Sequence, residues 1–246
     1  MPSTPSILII GNSHIECLIA AAKTPGFENV GFVNLKQVNK REDASDSDVV
    51  SFVEANTPMK APDVVCLCIK GNQHNIFGIV ESPKPFSLGD AEVGAIPPLE
   101  GKRAFIPFGA MVENFEMLSS PSHIEAVFAA FPAARRLYLN APPPISSWEH
   151  IVAHPELFSS RIHLGPAPKA LRMQLYRAQT LALRNIAARC KATFVEPVAE
   201  ALDQEGFLAE RFYGLDPTHA NAAYGAIMLK ALTMEAQDML AMGEAK

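Results

Sequence analysis

Three residues near opposite ends of the chain have the types and the spacing needed for hydrolysis through a serine. Ser13 follows Gly11 at the end of a short apolar run, where a buried strand is expected to lead into a helix. Backbone N–H groups at the start of a helix favour negative charge, so a serine there is well placed for attack. Asp216 and His219 could orient an imidazole and accept the serine proton, respectively. Together they predict a hydrolase with Ser13, Asp216 and His219 as its catalytic residues.

The elements that must position these residues alternate between strand and helix. Strands are predicted at 7–10, 30–35, 64–69, 136–139 and 193–195, and helices at 13–23, 42–53, 124–131, 168–191 and after 221. This alternation predicts an α/β fold with a parallel sheet that helices cover on both faces. Functional groups in such folds collect at the carboxyl ends of the strands. Ser13, Asn72 and Asn140 all follow predicted strand ends.

A long stretch, about 76–120, shows no sustained periodicity and is rich in proline, glycine and phenylalanine. It is too long for a simple connector, so we expect it to shape the substrate site as a loop insertion. Two roles are open for its phenylalanines: they form the walls of an apolar site for the acyl group, or they pack the loop onto the sheet. They are Phe77, Phe86, Phe105, Phe108 and Phe115.

Composition restricts the classes of function. The 246 residues are 48% hydrophobic and 19% charged, as expected for a single globular domain over 1–246. No apolar run approaches the roughly 20 residues of a membrane span and no secretory signal is visible, so a cytoplasmic location is predicted. The net charge of −5, without a basic cluster, argues against nucleic acid as a partner. Neither histidines nor cysteines have metal-ligand spacing and no nucleotide-binding loop is present, so no metal and no cofactor are predicted.

The segments around Ser13, Asn72 and Asp216–His219 resemble three of the four sequence blocks of the SGNH/GDSL hydrolase family, in the family's order along nearly the whole chain. The resemblance implies a flavodoxin-like three-layer α/β/α sandwich with a five-stranded parallel sheet. It implies that Ser13 is the nucleophile and that Asp216 and His219 complete a triad. It also implies that the Asn72 amide donates to the oxyanion, where the backbone N–H of Ser13 would be a second donor.

The chain departs from the family pattern in three places. Asn12 stands where the family often has aspartate, and Lys70-Gly71-Asn72-Gln73 stands where it often has Gly-Gly-Asn-Asp. Neither change removes a group that transfers a proton. No glycine after the second predicted strand matches the second block, so that oxyanion donor has no assignment.

The function predicted from these residues is that of a serine esterase. It would remove a small acyl group, such as acetyl, from a small-molecule ester through an acyl-enzyme on Ser13. A lipase, thioesterase or acyltransferase would use the same residues, and a non-catalytic carbohydrate- or acyl-binding protein of the same fold is the alternative class. His74 and Asn75 are candidates for contact with the alcohol part of the substrate. His14 and His74 are equally well explained as structural histidines.

Overall fold

Five parallel strands form the central sheet of the computed structural model, which describes residues 4–38, 44–89 and 103–244. Together with a separate pair, the described residues form seven strands, which are β1 (Ile7–Gly11), β2 (Val30–Asn34), β3 (Val64–Cys68), β4 (Phe86–Leu88), β5 (Ala104–Ile106), β6 (Arg135–Leu139) and β7 (Thr193–Val195). The central sheet has the order β2-β1-β3-β6-β7, and β4 and β5 pair separately as a two-stranded parallel ribbon.

The described residues also include eight α-helices. They are α1 (Glu16–Ala21), α2 (Asp46–Asn56), α3 (Gln73–Gly78), α4 (Phe108–Leu118), α5 (Pro121–Ala129), α6 (Trp148–Ala153), α7 (Lys169–Arg189) and α8 (Ala222–Glu244). The start predicted for α2 lies outside the described residues. The helix begins after Ser45, which forms a reciprocal capping box with Asp48. Across the described ranges, we find no helix whose length and apolar character would let it cross a bilayer.

The centre of the sheet consists of β1 and β3, in which every residue is buried. Both strands are apolar throughout because helices cover both faces of the sheet and leave no position for a solvated side chain. Ile7 and Ile9 pack in a cluster with α1 and α8, whereas Leu8 and Ile10 pack with α2, α5 and α7. The expected three layers therefore follow from the alternation of side chains along one strand.

The strand order places a crevice at the ends of β1 and β3. Numbered by themselves, the five strands of the central sheet have the flavodoxin-like order 2-1-3-4-5, which confirms the predicted fold class. In this order the chain leaves β1 and β3 in opposite directions, and ligands of open α/β sheets bind where this reversal occurs. Residues that directly follow β1 and β3 are thus the ones to inspect for chemistry.

The stretch predicted as a loop contains regular structure. Its described parts form α3, β4, β5 and α4, while residues 90–102 lie outside the described residues. Phe86 and Phe115 are buried in a cluster with the α7 side chains Leu171 and Leu175, and Phe108 packs against the same cluster. For Phe86 and Phe115, packing is the observed role, because β4 and the apolar face of α4 both lie against α7.

Candidate active site

Ser13 is held in place by a turn that β3 constrains. Gly11 ends β1, and a Cβ atom there would lie 2.5 Å from the carbonyl oxygen of Cys68, so only glycine fits. The N–H of Asn12 donates to that same carbonyl at 3.1 Å, and Asn12 Oδ1 accepts from the N–H of Lys70 at 2.7 Å. Ser13 then opens a 3₁₀ turn, Ser13–Ile15, where the first N–H groups have no partner within the turn.

Asp216 and His219 belong to a compact loop that precedes α8. The N–H of Gly214 donates to the His219 carbonyl at 2.8 Å, which closes the loop. Inside it, Asp216 Oδ1 accepts three hydrogen bonds, from Thr218 N at 2.8 Å, Thr218 Oγ1 at 3.0 Å and His219 N at 2.9 Å. These bonds fix the rotation of the carboxylate and leave Oδ2 for the imidazole.

The fold brings all three residues of the predicted triad into contact. His219 Nε2 lies 2.7 Å from Ser13 Oγ, and His219 Nδ1 lies 2.7 Å from Asp216 Oδ2. Since a carboxylate can only accept, Nδ1 carries the hydrogen and Nε2 is free to accept from the serine hydroxyl. This arrangement can remove the proton from Ser13 during nucleophilic attack.

The charge on Asp216 is maintained by its hydrogen bonds. Burial by itself raises the pKa of this carboxyl, but the bonds from His219 and Thr218 outweigh it and hold the pKa well below its ordinary value. Asp216 is therefore ionised at neutral pH and can stabilise an imidazolium on His219.

Asn72 directly precedes α3 and lies four residues beyond the end of β3. The chain reaches it through Lys70 and Gly71, which have positive φ values of 66° and 106°. Asn72 Oδ1 accepts from Asn75 Nδ2 at 2.9 Å, which leaves the Asn72 Nδ2 group as the end available for another acceptor. Its donation to an oxyanion above Ser13 stays a prediction.

Gln179 of α7 clamps the turn that carries Asn72. This side chain is 0% exposed; its Oε1 accepts from the N–H of His74 at 2.9 Å and its Nε2 donates to the Gly71 carbonyl. The amphipathic pattern of α7 gave no reason to single it out, because a polar residue on the buried face of a helix has no signature of its partner.

His74 and Asn75 are not on the substrate side of the site. Each is 1% exposed, so the prediction that they contact the alcohol part of a substrate is wrong for this structure. The His74 ring packs edge-on against Tyr176 with 5.0 Å between ring centroids, and Asn75 holds Asn72. Their side chains turn inward because α3 packs against α7 on that side.

His14 lies beneath the site rather than in it. It is 4% exposed, and its ring centroid is 5.0 Å from that of His219. Burial lowers the pKa of His14 to about 3, and within the described part of the chain neither ring nitrogen has a hydrogen-bond partner. His14 is therefore a neutral ring that packs against His219.

The loop that carries Asp216 and His219 also contacts α6 and the residues just before it. His150 Nε2 lies 3.3 Å from the Asp216 carbonyl oxygen, and Ser146 Oγ lies 3.1 Å from the Tyr213 hydroxyl. The rings of His150 and Tyr213 are in contact, with 5.1 Å between centroids. The sequence offered no sign of these residues, because the contacts join segments more than sixty positions apart.

A cleft of about 830 Å³ lies elsewhere, between α4, α7 and the end of β7. Phe108, Val112 and Leu181 are among its lining residues, whereas Ser13 and His219 are not. The part of the predicted loop insertion that forms α4 therefore lines this cleft.

The fold and the hydrogen-bonded chain of Ser13, His219 and Asp216 define an α/β protein of flavodoxin-like order with a serine, histidine and aspartate in contact. No protein-family model and no curated protein matches the chain.

Among solved structures, the chain is similar to a Streptococcus pneumoniae protein described provisionally as a platelet activating factor. The TM-score is 0.54 and the identity 17%, over 96% of this chain and 85% of that chain. A carbohydrate acetylesterase from Sinorhizobium meliloti has a TM-score of 0.46 and 11% identity, over 96% of this chain and 99% of that one. A protein from Slackia heliotrinireducens, described provisionally as an SGNH hydrolase, has a TM-score of 0.44 and 16% identity, over 96% and 100%. The first match shows a shared fold, and at that level the resemblance drawn from the sequence is confirmed.

Proposed function

We propose that the protein is a serine esterase of the SGNH/GDSL type, with Ser13, His219 and Asp216 as its catalytic triad. The observation that carries the proposal is the unbroken chain of hydrogen bonds from Ser13 Oγ through both nitrogens of His219 to Asp216 Oδ2, with 2.7 Å at each step. A serine that merely capped a helix would need no imidazole, and no side-chain capping bond is present at this 3₁₀ turn.

In the first half-reaction, Ser13 Oγ attacks the ester carbonyl while its proton passes to His219 Nε2. The tetrahedral intermediate collapses when the C–O bond to the alcohol breaks, and His219 returns the proton to the departing oxygen. Ser13 then carries the acyl group. Asp216 stabilises the imidazolium throughout, without taking up a proton itself.

In the second half-reaction, His219 Nε2 removes a proton from water, whose oxygen attacks the acyl carbonyl. Collapse releases the carboxylic acid and returns the proton to Ser13 Oγ. Negative charge develops on the carbonyl oxygen in both halves, and the Asn72 amide and the Ser13 backbone N–H are the proposed donors to it. Loss of one such donor typically lowers kcat by about 100- to 1,000-fold.

The proposed substrate is an ester of a small acyl group such as acetyl. This choice rests on the phenylalanines of the stretch 76–120, which could form apolar walls that limit the length of the acyl group, and a series of p-nitrophenyl esters from acetyl to octanoyl tests it. We expect kcat/KM to fall with chain length, whereas a rise toward long chains would favour a lipase or thioesterase.

The test of the mechanism compares wild type, Ser13→Ala and Ser45→Ala. Wild type should react with a fluorophosphonate probe and hydrolyse p-nitrophenyl acetate, and Ser13→Ala should do neither while keeping its thermal midpoint within a few degrees. Ser45→Ala is the matched control, because it removes a serine that caps a helix outside the site and should leave both activities in place. An active Ser13→Ala variant would refute the nucleophile assignment, and an unreactive wild type would favour a non-catalytic binding protein.

A further inference from the structure

Lys70 has a backbone conformation that suits glycine rather than lysine. Its φ is 66°, in the left-handed region where the Cβ atom of an ordinary residue meets the following carbonyl oxygen. The adjacent Gly71, at 106°, meets no such conflict. Residues held in this way cluster at functional sites, where the surrounding structure maintains them.

Lys70 lies beside the residues of the candidate active site in the fold. It lies two residues beyond the end of β3 and two residues before Asn72. Its N–H donates to Asn12 Oδ1 at 2.7 Å, and Asn12 directly precedes Ser13. The flexible four-carbon stem of a lysine gives its ammonium reach from this position beside the nucleophile turn.

The ammonium of Lys70 has no counter-ion in the described ranges. The side chain is half-buried, and no hydrogen bond or ion pair joins it to another described residue. Glu16, close to Ser13 in the chain, pairs with Lys36 at 3.1 Å, and Asp216 is already bound by His219 and Thr218. Burial lowers the pKa of Lys70, as expected for a cation that has lost water without gaining an anion.

We propose that Lys70 selects the charge of the substrate, with its ammonium binding an anionic group, such as a carboxylate, of the ester that Ser13 attacks. The inference rests on the proposed esterase function and names its substrate class: a small ester that carries a negative charge. The anion would supply the counter-ion that a half-buried ammonium lacks, at a site where water is partly excluded and charge interactions are stronger than in bulk water.

Two matched pairs of esters test this proposal. An anionic acyl group is presented by the p-nitrophenyl monoester of succinic acid, against p-nitrophenyl butyrate as its neutral counterpart. An anionic alcohol part is presented by 4-acetoxybenzoate, against 4-acetoxybenzamide. The quantity measured is the ratio of kcat/KM for the anionic ester to that for its neutral partner, so that effects common to both esters cancel.

The variants are Lys70→Met, Lys70→Arg and Lys60→Met. In one of the two pairs we expect Lys70→Met to lower the ratio by about tenfold or more, as for loss of a partly desolvated charge pair. Lys70→Arg should retain the preference. Lys60→Met is the matched control, because it makes the same change in net charge at an exposed lysine before the start of β3. That lysine lies at the amino ends of the strands, opposite the candidate active site. Thermal midpoints check folding, and Lys70→Gln replaces Lys70→Met if the latter does not fold.

An unchanged ratio in both pairs for Lys70→Met would overturn the proposal, and so would an equal fall in Lys60→Met, which would indicate an effect of net charge alone. Failure of the esterase function looks different, because wild type would then hydrolyse none of the four esters. In that event succinate itself is the probe: a rise in thermal midpoint in wild type but not in Lys70→Met would still support the anion site, and equal responses would overturn it.

Discussion

Replacement of Asp216 by asparagine tests whether this carboxylate fixes the tautomer of His219. Asp216 Oδ1 accepts from Thr218 N, Thr218 Oγ1 and His219 N, while Oδ2 faces His219 Nδ1 at 2.7 Å. An asparagine must place its oxygen among the two N–H donors, which turns its NH₂ group toward Nδ1. Nδ1 then has to accept, the ring hydrogen moves to Nε2, and Nε2 can no longer take the Ser13 proton.

The size of the fall in kcat follows from the cost of flipping the asparagine amide into the orientation that supports the active tautomer of His219. Turning the amide over would restore the active tautomer but would leave two backbone N–H groups without an acceptor, at about 1–3 kcal/mol each. A total of about 2–6 kcal/mol corresponds to a factor of about 30 to about 25,000 in the population of the active form. We therefore expect kcat to decrease by a factor within that range. The strength of the hydrogen bonds from Thr218 and His219 determines the factor.

The assay is hydrolysis of p-nitrophenyl acetate by Asp216→Asn, accompanied by the thermal midpoint and by ¹⁵N chemical shifts of the His219 ring. Asp203→Asn is the matched control, since Asp203 Oδ1 also accepts two backbone N–H groups in a turn, from Glu205 and Phe207 at 2.9 Å each. The control should keep its activity. A kcat for Asp216→Asn within about threefold of wild type, well below the lower limit derived from the lost hydrogen bonds, would refute the reasoning.

Two further predictions concern groups next to the site. Asn75→Asp should lower kcat by up to about 100- to 1,000-fold. A carboxylate at position 75 cannot donate to Asn72 Oδ1, so the Asn72 amide would turn its NH₂ group toward the new acceptor and away from the oxyanion. Unchanged hydrolysis of p-nitrophenyl acetate would remove Asn72 from the oxyanion role. Stability should fall as the pH falls below about 6.5, because burial lowers the pKa of both His14 and His74 to about 3 and the unfolded chain then binds more protons. Urea unfolding at about pH 8 and about pH 5.5 should differ by about 1.4 kcal/mol for each of the two histidines, and His74→Phe should lose its share of that difference.

The sequence by itself determined the alternation of the five central strands with helices and the three residues of the Ser-His-Asp chain. Apolar runs such as 7–10 and 64–69 can be recognised without a structure, because a strand covered on both faces must be apolar at every position. Strand 193–195 was predicted with the bounds that it has in the structure. Asp216 and His219 were recognisable because they lie only three positions apart in the chain.

Contacts between distant segments were decided by the tertiary structure alone. Nothing in the sequence indicated that Gln179 would bind the turn beside Asn72, or that His150 would meet the Asp216 carbonyl, since each pair is formed by the packing of separate elements. His74 and Asn75 follow the same rule: a polar residue beside a motif can face outward or inward, and here the packing of α3 on α7 turned both inward.

The left-handed backbone of Lys70 is the last example. Only the path of the chain between β3 and α3 revealed it, because φ is set by where the neighbouring strands and helices require the chain to go, and not by the residue type alone.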